Sequence, residues 1–308
     1  MSENTKTIDV VIPAYKPGDA LRRLLWMLKK QNHPVRRFII MITESEKAVY
    51  PDFDSFGNVE IHTLKPSEYD HGNTRNLGAS FSDADYLLFM TQDAEPINNH
   101  LTENLLEAFS DPLVACAYAR QLPREDCRLI EKYTRSFNYP SESFVKSADD
   151  LERLGIKTFF CSNVCAMYDR KRFTELGGFT KKTIFNEDMI YASGVIEHGL
   201  RIAYRADAEV VHSHNFTCMQ QFRRNFDLAV SQAAHPEIFE KVPSEKEGMR
   251  LVRETASYLL KENEWQWIPY LFWQSAMKYL GYRLGKNYKK LPKKFVVFCS
   301  MNKHYWEE

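Results

Sequence analysis

YLLFMTQDAEP, residues 86–96, is an apolar run that ends abruptly in acid. Consecutive large apolar side chains without alternation describe a strand buried on both faces, as in a parallel sheet covered by helices. In such sheets the chemistry gathers beyond the carboxyl ends of the strands. Asp93 and Glu95 stand there, two residues apart, with Gln92 before them and Pro96 after. Two carboxylates on such a turn can converge on a hard divalent cation, Mg²⁺ or Mn²⁺, which takes oxygen ligands and bridges protein to substrate phosphate. Alone, D-x-E also describes a solvated surface turn. Its place at the end of a buried strand singles it out.

Towards the N-terminus the pattern repeats. IDVVIPAY (8–15), RFIIMIT (37–43) and VEIHTL (59–64) read as strands, and Leu21, Leu24, Leu25 and Leu28 mark one face of a helix between the first two. Asn73 to Phe81 reads as a short helix. The fold class is therefore α/β, with a mostly parallel sheet flanked by helices. Pro13, Ala14, Tyr15 and Glu44 fall at the same rim as Asp93. Asp70-His71-Gly72-Asn73-Thr74-Arg75-Asn76 opens a helix, where free amides and an Arg make an anion site; a plain N-cap with a turn glycine reads equally from these residues.

Towards the C-terminus, 114–119 reads as a strand, 125–137 as a helix and FFCSNVCAMY (159–168) as a strand-like run, followed by a short helix stopped at Gly177-Gly178. Asn186 stands as the N-cap of a helix reaching about His198, with Gly199 beyond its end. Glu187 and Asp188 fill its first turn, where the helix dipole favours acid and keeps a carboxylate ionised for service as a base. Strands are expected at 201–205 and 209–212, the latter closing on His212-Ser213-His214, whose alternate rings face one way. Helices follow at 217–233, at 245–261 with a Ser244-x-x-Glu247 capping box, and at 265–281. One catalytic domain over 1–230 is expected, with a nucleotide-binding half (1–120) and an acceptor half (121–230), and a helical extension over 231–308.

The 308 residues balance 41 Lys or Arg against 41 Asp or Glu, but unevenly. Residues 265–306 hold eight Lys or Arg and no acid, among many aromatics. That composition fits an anionic membrane surface; packing on the catalytic domain or a homo-oligomer contact is the alternative. The acidic remainder argues against nucleic acid. No signal peptide or spanning helix is expected, and six cysteines without a CxxC pair fit a reduced cytoplasmic protein, peripheral on the inner face of the cell membrane.

The order IPAYKPG, RNLG, a hydrophobic strand into D-x-E, then GGF, ED and H resembles the family 2 glycosyltransferases of the GT-A fold. EYDHGNTRNLGA followed by FMTQDAEP is similar to their bacterial rhamnosyltransferase branch. The resemblance covers about residues 8–230. It implies an inverting transferase that moves a sugar, L-rhamnose from dTDP-β-L-rhamnose or a hexose from a UDP donor, onto a hydroxyl of a cell-surface polysaccharide or lipid-linked glycan precursor. It also implies that Pro13, Ala14, Tyr15, Glu44, Asp70, Arg75, Asn76, Gln92 and Asp93 contact the nucleotide sugar. Asp93 and Glu95 then take the place of the metal-binding DxD motif, with His212 and His214 beside the Mn²⁺ or Mg²⁺. Asp188 is the implied base, and Glu187 completes the pair. The chain departs from the family in having Glu95 for Asp, Ile190 at the last acid of E-D-x-D, and Glu44 for the usual Asp. Two other classes remain open on the residues: a nucleotidyltransferase, which would carry a Gly-rich basic loop where IPAYKPGDA stands, and a non-catalytic binding module, which needs no D-x-E, ED and H-x-H together.

Overall fold

A computed structural model describes residues 6–46, 50, 52–242 and 245–307. The first half comprises β1 (Ile8–Tyr15), α1 (Asp19–Lys29), β2 (Arg37–Thr43), β3 (Val59–Leu64), α2 (His71–Ser80) and β4 (Tyr86–Met90). Then come β5 (Glu95–Pro96), α3 (Leu101–Glu107), β6 (Val114–Leu122), α4 (Leu129–Asn138), β7 (Phe144–Lys146) and α5 (Leu151–Leu154). β8 (Cys165–Asp169), α6 (Arg170–Glu175), α7 (Glu187–Glu197) and β9 (Arg201–Val211) follow. The remainder is helical: α8 (Cys218–Ala234), α9 (Pro236–Phe239), α10 (Glu245–Lys261), α11 (Ile268–Lys286) and α12 (Lys293–Cys299).

One sheet holds the strands in the order β3-β2-β1-β4-β8-β6-β9-β5, with β7 also paired to β9. β3, β2, β1 and β4 run parallel, as do β6 and β9, while β8 is antiparallel between β4 and β6. β2 lies on one side of β1 and β4 on the other, so the order reverses there and a crevice opens at the strand ends. β4 shows why its sequence lacks alternation. Leu88 and Met90 pack into the core under α1, with Leu21, Leu24 and Leu28, while Leu87 and Phe89 face an opposite core of Tyr168, Phe173, Phe179 and Tyr191.

Several expectations shift. Residues 155–159 form a tight 3₁₀ turn and only 165–169 pair as a strand, because a buried apolar run does not declare its conformation by period. The two strands expected at 201–205 and 209–212 are one, β9, interrupted where Ala119 opposite Arg205 gives way to Arg120 opposite Glu209. Asn186 precedes α7 but with φ +64, and its side chain donates to the Leu228 carbonyl instead of capping. α11 runs on to Lys286, and α12 was not foreseen. Ser244 of the expected capping box lies outside the described residues.

The C-terminal helices are fixed to α8. A Cβ at Gly281 or Gly285 of α11 would strike the carbonyls of Phe222 and Phe226, so only glycine permits this approach. Phe222, Phe226 and Val230 share a small core with Val296 and Cys299 of α12. Asp227 accepts from the amides of Met301 (2.9 Å) and Asn302 (3.2 Å), pinning the chain beyond α12.

Candidate active site

At the switch point, the Gln92 side chain bridges two strand ends. Its Oε1 accepts from the Tyr15 amide (3.1 Å) and its Nε2 donates to the Tyr15 carbonyl (3.0 Å). Ala14 is buried, Pro13 half-buried, and Tyr15 holds an exposed ring above the rim. Tyr15 lies opposite Thr43, so the exposed Glu44 leaves β2 at the same level.

Three ligand-bearing side chains meet on the far side of β4. His212 Nε2 lies 3.5 Å from one Asp93 oxygen and His214 Nε2 3.5 Å from the other. One ligand atom from each residue falls within 4.8 Å of the others. Backbone pairing builds this corner: Glu95 pairs with Val211, which sets the Asp93 turn against the residues just beyond β9, and the Arg124 guanidinium holds the Asp93 carbonyl at 3.0 Å. Glu95 does not join the group. Its carboxylate accepts from Arg23 of α1 at 2.9 Å. Burial pushes His212 down to about 3 against the pull of Asp93, and burial lowers His214 as well. Both rings are therefore neutral, with lone pairs available, and the buried Nδ1 of His212 has no partner among the described residues. Two imidazoles and a carboxylate whose ligand atoms lie within 4.8 Å of one another fit a divalent cation bound at ~2.1 Å to each.

The second corner lies at the start of α7. Asp188 accepts from the amides of Asn163 (3.1 Å) and Met189 (2.8 Å). Glu187 Oε1 accepts from the Asn163 side chain (3.1 Å) and pairs with Arg75 (3.2 Å). Burial raises the Asp188 pKa to about 7, and the charge of Glu187 adds to that rise. Burial acts on Glu187 too, but Arg75 and then His71 outweigh it and hold Glu187 below the ordinary carboxylate range. The residues of α2 secure this corner. Asp70 accepts from the amides of Asn73 (2.6 Å) and Thr183 (3.0 Å), and the Asn76 amide pairs with both backbone groups of Phe179 (2.7 and 2.8 Å). Asp70 and Asn76 thus clamp the loop before α7, while Arg75 serves Glu187. Asn163 is the residue that sequence reasoning missed; its one signal was a polar amide inside the apolar run 159–168.

Arg224 of α8 joins the corners. Its guanidinium sits 4.6 Å from the ring centre of Phe185, just before Asn186-Glu187-Asp188, and 5.7 Å from that of Phe216, just after His214.

Residues 9–177 match the family described as Glycosyl transferase family 2. The chain belongs to this family. As a family 2 glycosyltransferase it is 39% identical over 301 residues to the O-antigen chain rhamnosyltransferase RfbN of Salmonella typhimurium, covering 97% of this chain and 96% of that one. It is equally 39% identical to the O-antigen chain rhamnosyltransferase WbaN of Salmonella anatum, over 96% and 95% of the two chains. Among solved structures, the mannosyltransferase PcManGT from Pyrobaculum calidifontis, in complex with GDP-Man and Mn²⁺, superposes with a TM-score of 0.63 at 14% identity, covering 94% of this chain and 89% of that one. S. aureus TarS 1–349 in complex with UDP-GlcNAc gives 0.53 at 12% identity, over 92% and 91%. The fold of this glycosyltransferase is GT-A, a sheet flanked by helices with a helical C-terminal region. No helix among its described residues is long and apolar enough to cross a membrane.

Proposed function

We propose that this glycosyltransferase moves L-rhamnose from dTDP-β-L-rhamnose to a hydroxyl of a cell-surface polysaccharide precursor, with inversion. The observation that carries the chemistry is Asp188, a carboxylate brought to about 7, in a corner that Arg224 joins to the His-His-Asp corner. The 39% likeness to two O-antigen rhamnosyltransferases, end to end, supports the choice of sugar.

On this reading Asp188 takes the proton of the attacking hydroxyl, a contribution of ~10²–10⁴ in rate. Glu187 stays ionised against Arg75 and keeps Asp188 basic enough for the task. Attack is a single in-line displacement at the anomeric carbon, so the α-rhamnoside follows from the β donor. Asp93, His212 and His214 would hold a divalent cation, Mn²⁺ or Mg²⁺, which when bound supplies Lewis acidity for the departing nucleoside diphosphate. Tyr15, Pro13, Ala14 and Glu44 frame the nucleotide at the strand ends, with Gln92 holding that rim. Residues 1–230 form the catalytic domain, and the 231–308 extension rests on an anionic membrane surface at the inner face of the cell membrane, where a lipid-linked acceptor would be met.

The test is a donor panel of dTDP-β-L-rhamnose, UDP-glucose and GDP-mannose, with Mn²⁺ or Mg²⁺, and the anomeric configuration of the product read by NMR. Transfer from dTDP-β-L-rhamnose to an α-linked product is expected. Transfer from UDP-glucose alone would replace rhamnose by a hexose, and a β-rhamnoside would overturn the single displacement.

A further inference from the structure

One amide faces the Glu187–Asp188 pair, and a residue outside the pair decides which way that amide turns. Asn163 is 3% exposed and reaches both acids: its backbone amide donates to Asp188 (3.1 Å) and its side-chain amide to Glu187 (3.1 Å). An ionised carboxylate only accepts, so the NH2 end of the Asn163 side chain points to Glu187 and its oxygen points away. That oxygen accepts from the Tyr168 hydroxyl at 2.8 Å, and no other group among the described residues donates to it. The Cys161 Sγ lies 3.6 Å from the same hydroxyl. With the phenol proton given to Asn163, the thiol is left as the donor. The bonds therefore run one way, from Cys161 through Tyr168 and Asn163 to Glu187.

Tyr168 is built to hold that direction. β8 is paired on both sides here, with Leu87 of β4 and Cys116 of β6 opposite Tyr168. The Tyr168 ring is fully buried among Phe89, Phe173, Phe179 and Tyr191, whose ring centres lie 5.4–5.6 Å away. Four rings fix the phenol, and its hydroxyl is the one polar handle it offers. Burial pushes that hydroxyl well above its ordinary range, so it stays a donor. Burial also works against the charge on Glu187; Arg75, His71 and then Asn163 overcome it. Arg224 of α8, Tyr139 beyond α4 and Cys116 face Asp188 from the other elements, and among the described residues none of them hydrogen-bonds Asn163.

We propose that Tyr168 is a positioning residue for the acid pair: through Asn163 it keeps one donor on Glu187 and one on Asp188. It hydrogen-bonds neither acid itself. That role rests on the glycosyltransferase reading, in which Asp188 is the base. Without the hydroxyl, the Asn163 oxygen is buried and unpaired, and either end of the amide can turn to Glu187. A carboxylate that loses a fixed donor binds its proton more tightly, so Glu187 then competes for the proton that Asp188 carries.

The test is kinetics and NMR titration of the carboxyl carbons on the full-length protein, with Glu187→Gln and Asp188→Asn assigning the two signals. Tyr168→Phe keeps the ring among its four neighbours and removes only the hydroxyl. Its kcat should fall about tenfold, the size of one bond to a charged group, with the donor KM within about twofold. Its Glu187 signal should titrate about half a pH unit or more higher. Asn163→Ala should do the same, and adding Tyr168→Phe to it should cost kcat nothing further, because the two residues act in series. A Tyr168 that merely fills the core would lower the thermal midpoint and leave the Glu187 titration in place. That result, a wild-type kcat in Tyr168→Phe, or losses that multiply in the double variant would overturn the role. Asp188→Asn at wild-type rate, with the Glu187 titration still moved by Tyr168→Phe, would remove Asp188 as the base and leave the link from Tyr168 to Glu187 standing.

Discussion

Asp188 and Asp93 belong to the two corners that Arg224 joins, and their surroundings treat a carboxylate in opposite ways. Asp188 is buried and set beside Glu187, a second acid that Arg75 keeps ionised, and burial first, then that charge, bring its pKa near neutrality. Asp93 faces two imidazoles that burial keeps neutral, and each of its oxygens points to one ring. A base needs a proton affinity close to the working pH; a metal ligand needs lone pairs aimed at a common point and neighbours that do not compete as cations. The same side chain therefore serves two ends through what is packed around it.

The largest effect should come from Asp188→Asn. The change keeps the shape and removes proton acceptance, so transfer should fall by ~10²–10⁴ while donor affinity stays near wild type. Near wild-type transfer in Asp188→Asn together with a dead Glu187→Gln would move the base to Glu187. The pH profile sharpens the point. A base must be ionised to act, so kcat should fall as pH drops through about 7 and level off above it, and Asp188→Asn should flatten that limb. A wild-type rate constant from pH 5 to 8 would separate Asp188 from proton transfer.

Asp93→Ala should weaken donor binding in the presence of Mn²⁺ or Mg²⁺, and chelation should abolish wild-type transfer. Full activity in excess EDTA would show that Asp93, His212 and His214 touch the substrate directly. Arg75→Met tests the other side of the comparison. Arg75 and Glu187 side chains are only 6% and 8% exposed, so removing the cation leaves a buried acid unpaired, at a cost of about 3–5 kcal/mol in stability. Unchanged denaturant and thermal midpoints would mean that Glu187 does not depend on Arg75 for its charge.

Much of this architecture was legible in the chain, for identifiable reasons. β1, β2 and β3 have the bounds read from their aliphatic runs, and Leu21, Leu24, Leu25 and Leu28 all bury as their spacing requires. Alternation brought His212 and His214 to one side. The partner of Glu95 was not legible: Arg23 lies 72 residues away on a helix whose outer face carries no signal of its own. Asn163 was missed because its value lies in the two carboxylates it touches, Glu187 and Asp188, which only the packed fold brings to it. Asp70 and Asn76 read as ligand contacts by motif, while the fold employs both to hold the Phe179–Thr183 loop.

The smallest effect concerns the ground on which both corners stand. α8 carries Arg224 between them, and α11 is bound to α8 through Gly281 and Gly285, so whatever orients α11 orients the cleft. The opposite face of α11 is exposed and apolar: Phe272 57%, Trp273 61%, Tyr279 58% and Leu280 49%. Phe295 and Phe298 of α12 are exposed as well, as are Lys289 and Lys290 in the segment joining these helices and Lys294 in the first turn of α12. Rings at the headgroup level with ammonium groups on anionic lipid make an in-plane contact, each Lys adding about 1 kcal/mol that salt screens. Truncation before α11 is an unsuitable test, because it strips the cover from Phe222 and Phe226. Replacement of Phe272, Trp273 and Leu280 by serine changes only the outer face. The full-length protein should sediment with phosphatidylglycerol vesicles at low salt and be released at high salt, and the triple serine variant should stay in the supernatant. If the wild type stays there as completely as the variant, the face does not meet lipid. A wild-type dimer that the variant loses in sedimentation equilibrium would assign the face to a second copy of the chain.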